Sequence, residues 1–232
     1  MVSKHDLEEI EKFLHAREDE VDPWRMFRIM TEFFSGFDFL RQFKRAVTIF
    51  GSARFKYPNK AYKEAEKLAA LLAKENFAIV TGAGPGIMEA ANKGAHKAGG
   101  TSVGIAVRLP HEDAANKYAK LNTYFKYFFT RKVMLVYASQ LYVFFPGGFG
   151  TLDEFFELVT LVQTKKIKPV PIILIDKQFW TPLLKWVDAT LVGTYKTVNP
   201  GETGVYTLVD SAEEAVVYIK SLLKYNSEHF TR

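Results

Sequence analysis

From residue 46 onward, short runs that are apolar throughout alternate with longer amphipathic stretches. The runs cover 46–50, 77–81, 101–107, 141–145 and 170–175, and the helical stretches cover 61–75, 86–98, 130–139, 151–163, 179–189 and 211–223. A strand without a polar face must be covered on both sides, which is the condition of a parallel sheet between two helix layers. Strand–helix alternation then predicts an α/β, doubly wound, mostly parallel sheet of the Rossmann-like kind, with right-handed crossovers. Ligands of such sheets bind outside the carboxyl ends of the strands. The glycine-rich segments of this chain fall at those ends.

The first 45 residues have a different character. Residues 5–20 read as an acidic amphipathic helix. Residues 24–43 place Met26, Phe27, Ile29, Met30, Phe33, Phe34, Phe37 and Leu40 at three- and four-residue spacings, the mark of a buried helical face, with Pro23 suited to its first turn and Asp22 to its cap. We therefore expect an N-terminal helical arm over 1–45, serving packing or dimerisation, followed by one nucleotide-binding catalytic domain over 46–232. The chain is 48% hydrophobic and has no cysteine, which excludes disulfides, thiolate metal sites and cysteine nucleophiles. The five histidines are scattered without ligand spacing, so no metal is expected. No apolar run reaches the roughly 18 residues of a membrane span, and Met1–Glu9 has no secretory core, so a cytoplasmic protein is expected.

The net charge is +5, but residues 1–45 hold eight Lys/Arg against ten Asp/Glu. The body is therefore basic, which suits an anionic ligand. Three turns can hold one. Gly51 and Ser52 follow the first strand; Gly51 lets backbone approach a ligand and Ser52 can donate to a phosphate. Gly82, Gly84 and Gly86 lead from the second strand into a helix, where free amides and the helix dipole favour an anion. Just inside that helix, Met88, Glu89 and Asn92 can touch ribose or base, although Met88 is equally suited to the core. The turn lacks the acidic partner of a dinucleotide site and the G-K-[ST] ending of a triphosphate loop. Gly147, Gly148 and Gly150 form the third turn, ahead of another helix start. Thr151 and Glu154 there also fit a plain capping box.

The run PGGFGTLDE at 146–154 resembles the P-G-G-x-G-T-x-x-E signature of the Lonely Guy family, the cytokinin riboside 5′-monophosphate phosphoribohydrolases once labelled lysine decarboxylases. IFGSAR at 49–54, GAGPGIMEAANKGA at 82–95, the Arg131-Lys132 pair and the stretch from Gln163 to Pro169 resemble its other landmarks, in the family's order. MTEFFSGFDFL at 30–40 is similar to its longer-chain branch. The resemblance implies a cofactor-free enzyme, at least dimeric, that cleaves the base–ribose bond of a nucleoside 5′-monophosphate such as AMP or a modified adenine nucleotide. It matches Arg131 and Glu154 to the catalytic pair, and Gly147, Gly148, Gly150 and Thr151 to the phosphate turn. Lys132 is expected nearby, facing solvent or supporting the pair.

Two rivals stand beside that reading. A non-catalytic carrier of a phosphate-bearing ligand such as molybdenum cofactor would use the same glycine turns, but has no need of an Arg–Glu pair against a sugar. A nucleic-acid-binding protein would need an extended basic groove with exposed aromatics. Only Tyr118, Tyr124, Phe125, Tyr127, Phe128 and Phe129 offer such aromatics, and a base pocket or subunit interface suits them better. Neither nucleic acid nor membrane is expected as a partner.

Overall fold

A computed structural model describes residues 23–108 and 115–229 of the chain. The acidic helix expected over 5–20 and the Asp22 cap lie outside the described residues. Seven strands form one sheet, all pairings parallel: β1 (Ala46–Phe50), β2 (Ala78–Thr81), β3 (Ser102–Val107), β4 (Leu121–Phe125), β5 (Leu141–Phe144), β6 (Ile172–Ile175) and β7 (Tyr206–Val209). Their order is β4-β3-β2-β1-β5-β6-β7. The doubly wound sheet expected from the apolar runs is present.

Helix α1 (Pro23–Leu40) precedes the sheet. Then follow α2 (Lys60–Lys74), α3 (Ile87–Lys97), α4 (Phe128–Tyr137), α5 (Phe149–Gln163), α6 (Lys177–Trp186) and α7 (Ala212–His229). Strand side chains alternate between two cores. Val47, Ile49 and Ile79 pack with α2, α3 and α7, whereas Ala46, Phe50 and Val80 pack with α1, α4, α5 and α6. Helix α6 runs on into a π-helical segment, Val187–Thr194.

Two strands escaped the sequence reading, and both are edges. β4 is only partly buried, with Leu121 and Tyr124 exposed, so its sequence LNTYF is not apolar throughout. β7 is half-buried along most of its length. A strand open to solvent on one flank needs no continuous apolar run. Phe125, expected in a base pocket or interface, is instead core: it is 1% exposed and packs with Leu40 and Met134. Gly36, costly by helix propensity, is the contact point between α1 and α4. A Cβ there would lie within 3 Å of the Met134 thioether.

Candidate functional site

The strand order reverses at β1: β2, β3 and β4 extend to one side of it and β5, β6 and β7 to the other. The crevice of such a sheet opens beside this reversal, at the carboxyl ends of the strands. β1 and β5 pair in register up to Phe50 against Phe144, so the turns that follow them lie side by side. The Ser52 amide donates to the Pro146 carbonyl at 3.1 Å, and the Ile87 amide donates to the Ser52 carbonyl at 3.0 Å. Three turns far apart in sequence are thereby tied into one surface. Glycine is required at two of the knots. A Cβ on Gly51 would strike the Ile87 side chain, and Gly86 holds a φ of +73° against the Ser52–Ala53 backbone.

A cavity of about 780 Å³ opens there, within the range of small-molecule sites. Gly51, Ser52, Gly82, Met88, Arg131, Gly147, Gly148, Gly150, Thr151 and Glu154 all line it. Helix α5 starts at Phe149, capped by Gly148 without any side-chain bond. The capping-box alternative for Thr151 and Glu154 therefore fails, because the helix begins three residues before it would require. The amides of Phe149, Gly150 and Thr151 occupy the first turn, where no intrahelical acceptor exists. A Cβ on Gly147 would meet the Thr151 side chain, whereas on Gly148 or Gly150 it would meet nothing within 4 Å. Internal packing does not demand glycine at 148 and 150. The room they leave belongs to the cavity.

Arg131 sits on α4 and is only 8% exposed. Its Nε donates to the Ile105 carbonyl at 2.9 Å and its Nη2 to the Gly82 carbonyl at 3.3 Å. Carbonyls of β3 and of the turn after β2 thus fix the plane of the guanidinium and hold it out of solvent. Burial lowers its pKa, opposed by the charge of Glu154. Burial in turn pushes the Glu154 carboxyl up to about 7, against the attraction of Arg131 and with Asp153 adding to the rise. Lys132 turns away and bridges α4 to α5, pairing with Asp153 at 2.7 Å and Glu157 at 3.1 Å.

A second cavity of about 550 Å³ adjoins the first and shares Gly82, Met88, Phe128 and Arg131 with it. Ala83, Gly84, Arg108 and Tyr124 are among its other wall residues. Four residues nominated for the ligand, Gly86, Glu89, Asn92 and Lys132, line neither cavity. Asn92 is fully buried; it accepts from Thr81 Oγ1 at 2.6 Å and Asn116 Nδ2 at 2.9 Å and donates to Ser102 and the Val103 carbonyl. Glu89 lies toward α2, where burial raises the pKa of Tyr62 and the Glu89 charge adds to the rise. An α3 facing the sheet with one side and α2 with the other leaves only its first turn, with Met88, at the site. Phe128, one of the aromatics expected in a base pocket or interface, lines both cavities and is 51% exposed; unforeseen wall residues are Phe149 and Phe179, 94% and 37% exposed. The Phe within the glycine run was the available signal.

A family model described as "Possible lysine decarboxylase" matches residues 88–219. The chain belongs to that family. Within it, the chain is similar to phosphoribohydrolases of the Lonely Guy type. It is 25% identical over 193 residues to a probable cytokinin riboside 5′-monophosphate phosphoribohydrolase of Oryza sativa subsp. japonica, covering 81% of this chain and 75% of that one. It is 25% identical over 182 residues to the cytokinin riboside 5′-monophosphate phosphoribohydrolase of Rhodococcoides fascians, covering 76% and 90%. The molybdenum cofactor carrier protein of Chlamydomonas reinhardtii shares the fold, with a TM-score of 0.58 at 22% identity over 78% of this chain and 99% of that one. Among the described residues no helix is long and apolar enough to cross a membrane, and no cluster of His, Asp and Glu is arranged to hold a metal.

Proposed function

We propose that the protein hydrolyses the N-glycosidic bond of a nucleoside 5′-monophosphate, AMP or a modified adenine nucleotide, releasing free base and ribose 5-phosphate. One observation carries the reading: Glu154, its pKa near neutrality, and a buried Arg131 line the same cavity as an open glycine turn at a helix N-terminus. The turn at 147–151 takes the phosphate on the free amides of α5. Anchoring the phosphate sets C1′ against Glu154, so binding energy remote from the bond is converted into orientation. As the bond breaks, positive charge grows on the sugar. Ionised Glu154 stabilises that charge or takes the proton of the attacking water. Arg131, clamped by two carbonyls, holds the carboxylate and meets an oxygen of ribose or phosphate.

A lysine decarboxylase fits the site less well. Pyridoxal chemistry needs a lysine for the Schiff base, and among the described residues no lysine lines either cavity. The lysine nearest in sequence to the pair, Lys132, is committed to two carboxylates. A homodimer belongs to the proposal, formed on the outer face of α1, where Phe27, Met30 and Phe34 are 62%, 62% and 79% exposed.

The deciding experiment is a panel of nucleoside monophosphates assayed for released base and ribose 5-phosphate. AMP is expected to be cleaved, and adenosine, lacking the phosphate anchor, to react at least about a hundredfold more slowly. A panel that bound but released no base would replace the enzyme with a carrier.

A further inference from the structure

Helix α4 carries Arg131 but begins without a cap of its own. Its N-cap residue, Tyr127, makes no side-chain cap bond, and its first turn contains no acidic residue. A helix start leaves amides without acceptors and presents a positive dipole end. A carboxylate from α1 answers the dipole end and takes the cap amide and the one before it. The Glu32 carboxylate accepts from the Lys126 amide at 2.6 Å, the Tyr127 amide at 3.4 Å and the Thr130 hydroxyl at 2.5 Å. These partners lie 94–98 residues away in sequence. One turn along the same helix, Gly36 lets α1 sit directly on Met134. The first helical bond of α4 is the one from the Arg131 amide to the Tyr127 carbonyl, at 3.2 Å. Glu32 therefore grips the residues on either side of the turn from which the arginine projects.

We infer that Glu32 is a positioning residue for Arg131: it fixes the first turn of α4 so that the guanidinium reaches the Ile105 and Gly82 carbonyls. The catalytic consequence rests on the proposed hydrolysis, but the positioning itself does not. Its direct readout is the Arg131 Nε–H, held against the Ile105 carbonyl. In a nitrogen-15 NMR spectrum this proton is assigned by its loss in Arg131→Lys. The internal control is the Trp180 Nε1–H, bound to the Ile175 carbonyl on the far side of the sheet centre.

Glu32→Ala is expected to speed solvent exchange of the Arg131 proton about tenfold or more while leaving Trp180 within twofold. Glu32→Gln keeps one acceptor oxygen and should fall between the two; it is also the reporter if the alanine variant does not fold. In turnover, kcat should fall about ten- to a hundredfold with KM changed less than about threefold, and the same change in an Arg131→Ala background should cost nothing further. Unchanged Arg131 exchange in both variants, or equal acceleration at Trp180, would reduce Glu32 to a stabilising contact and overturn the inference. A wild-type protein that releases base from no nucleotide would sink the proposed hydrolysis alone, since the exchange result is read without substrate.

Discussion

Glu154 is a carboxyl whose folded pKa, about 7, stands well above its ordinary 4.5. The sign of the consequence for activity is definite. Below pH 7 the group is protonated and can neither balance charge on the sugar nor accept a proton, so kcat/KM should rise with pH through an apparent pKa near 7. Glu154→Gln should remove that limb along with roughly a thousandfold or more of kcat, while nucleotide affinity stays within about threefold. The sign for stability is opposite. A raised folded pKa favours the native state fully below 4.5, and that advantage is lost as pH climbs to 7. Wild type should therefore lose about 2–3 kcal/mol relative to Glu154→Gln between pH 4.5 and 8, measurable by urea unfolding at the two pH values. Arg131→Lys should behave much like Arg131→Ala, with kcat/KM down about a hundredfold. A lysine cannot keep Nε and Nη2 on two separate carbonyls and still offer a donor to the ligand.

At the scale of elements, the GAGPG turn is supported from below. Ala83 holds a φ of +62°, unusual for a residue with a side chain, and its amide donates to Thr81 Oγ1 at 3.0 Å. That hydroxyl donates in turn to Asn92, and Asn116 spans from Asn92 to the Gly84 carbonyl. The turn is held by a buried polar network centred on α3, and Asn92 is its hub. Asn92→Leu keeps the volume and strands Thr81, Ser102 and Asn116; it should cost about 2–4 kcal/mol in urea unfolding and weaken nucleotide binding as the turn relaxes. This role was not legible in the sequence. A helical asparagine soon after a glycine turn looks alike whether it points at a ligand or into the sheet, and only the rotation of α3 between β2 and α2 decides it. What was legible has a physical reason as well. The central strands must be apolar on both faces, so their sequences announce them, and glycine runs at their ends announce the site. The exposed edges β4 and β7 carry no such requirement. The aromatic wall at Phe179 comes from an element that meets the site only in the folded chain.

For the whole molecule, one strand reversal decides where chemistry is possible, because only there do the turns after β1, β2 and β5 converge. The arm reaches that place from outside. The inner side of α1 carries Glu32 and Gly36 onto α4, and its outer side leaves Phe27, Met30 and Phe34 bare. Tyr137 of α4, 67% exposed, extends the same face through its edge contact with Phe37 at 4.8 Å. A contiguous aromatic face of this kind is more than a stable monomer ordinarily presents to water. A two-fold partner using the same face would bury it in an isologous contact. The proposed dimer is therefore tested on side chains that the monomer does not need. Phe27→Glu with Phe34→Glu replaces exposed groups, so each change should alter folding stability by no more than about 0.5 kcal/mol. In the dimer it would set four carboxylates, two from each subunit, into an apolar contact. Sedimentation velocity should show wild type as a dimer and the double variant as a monomer with an unchanged circular dichroism spectrum. A wild type that sediments as a monomer would leave the outer face of α1 without its proposed partner.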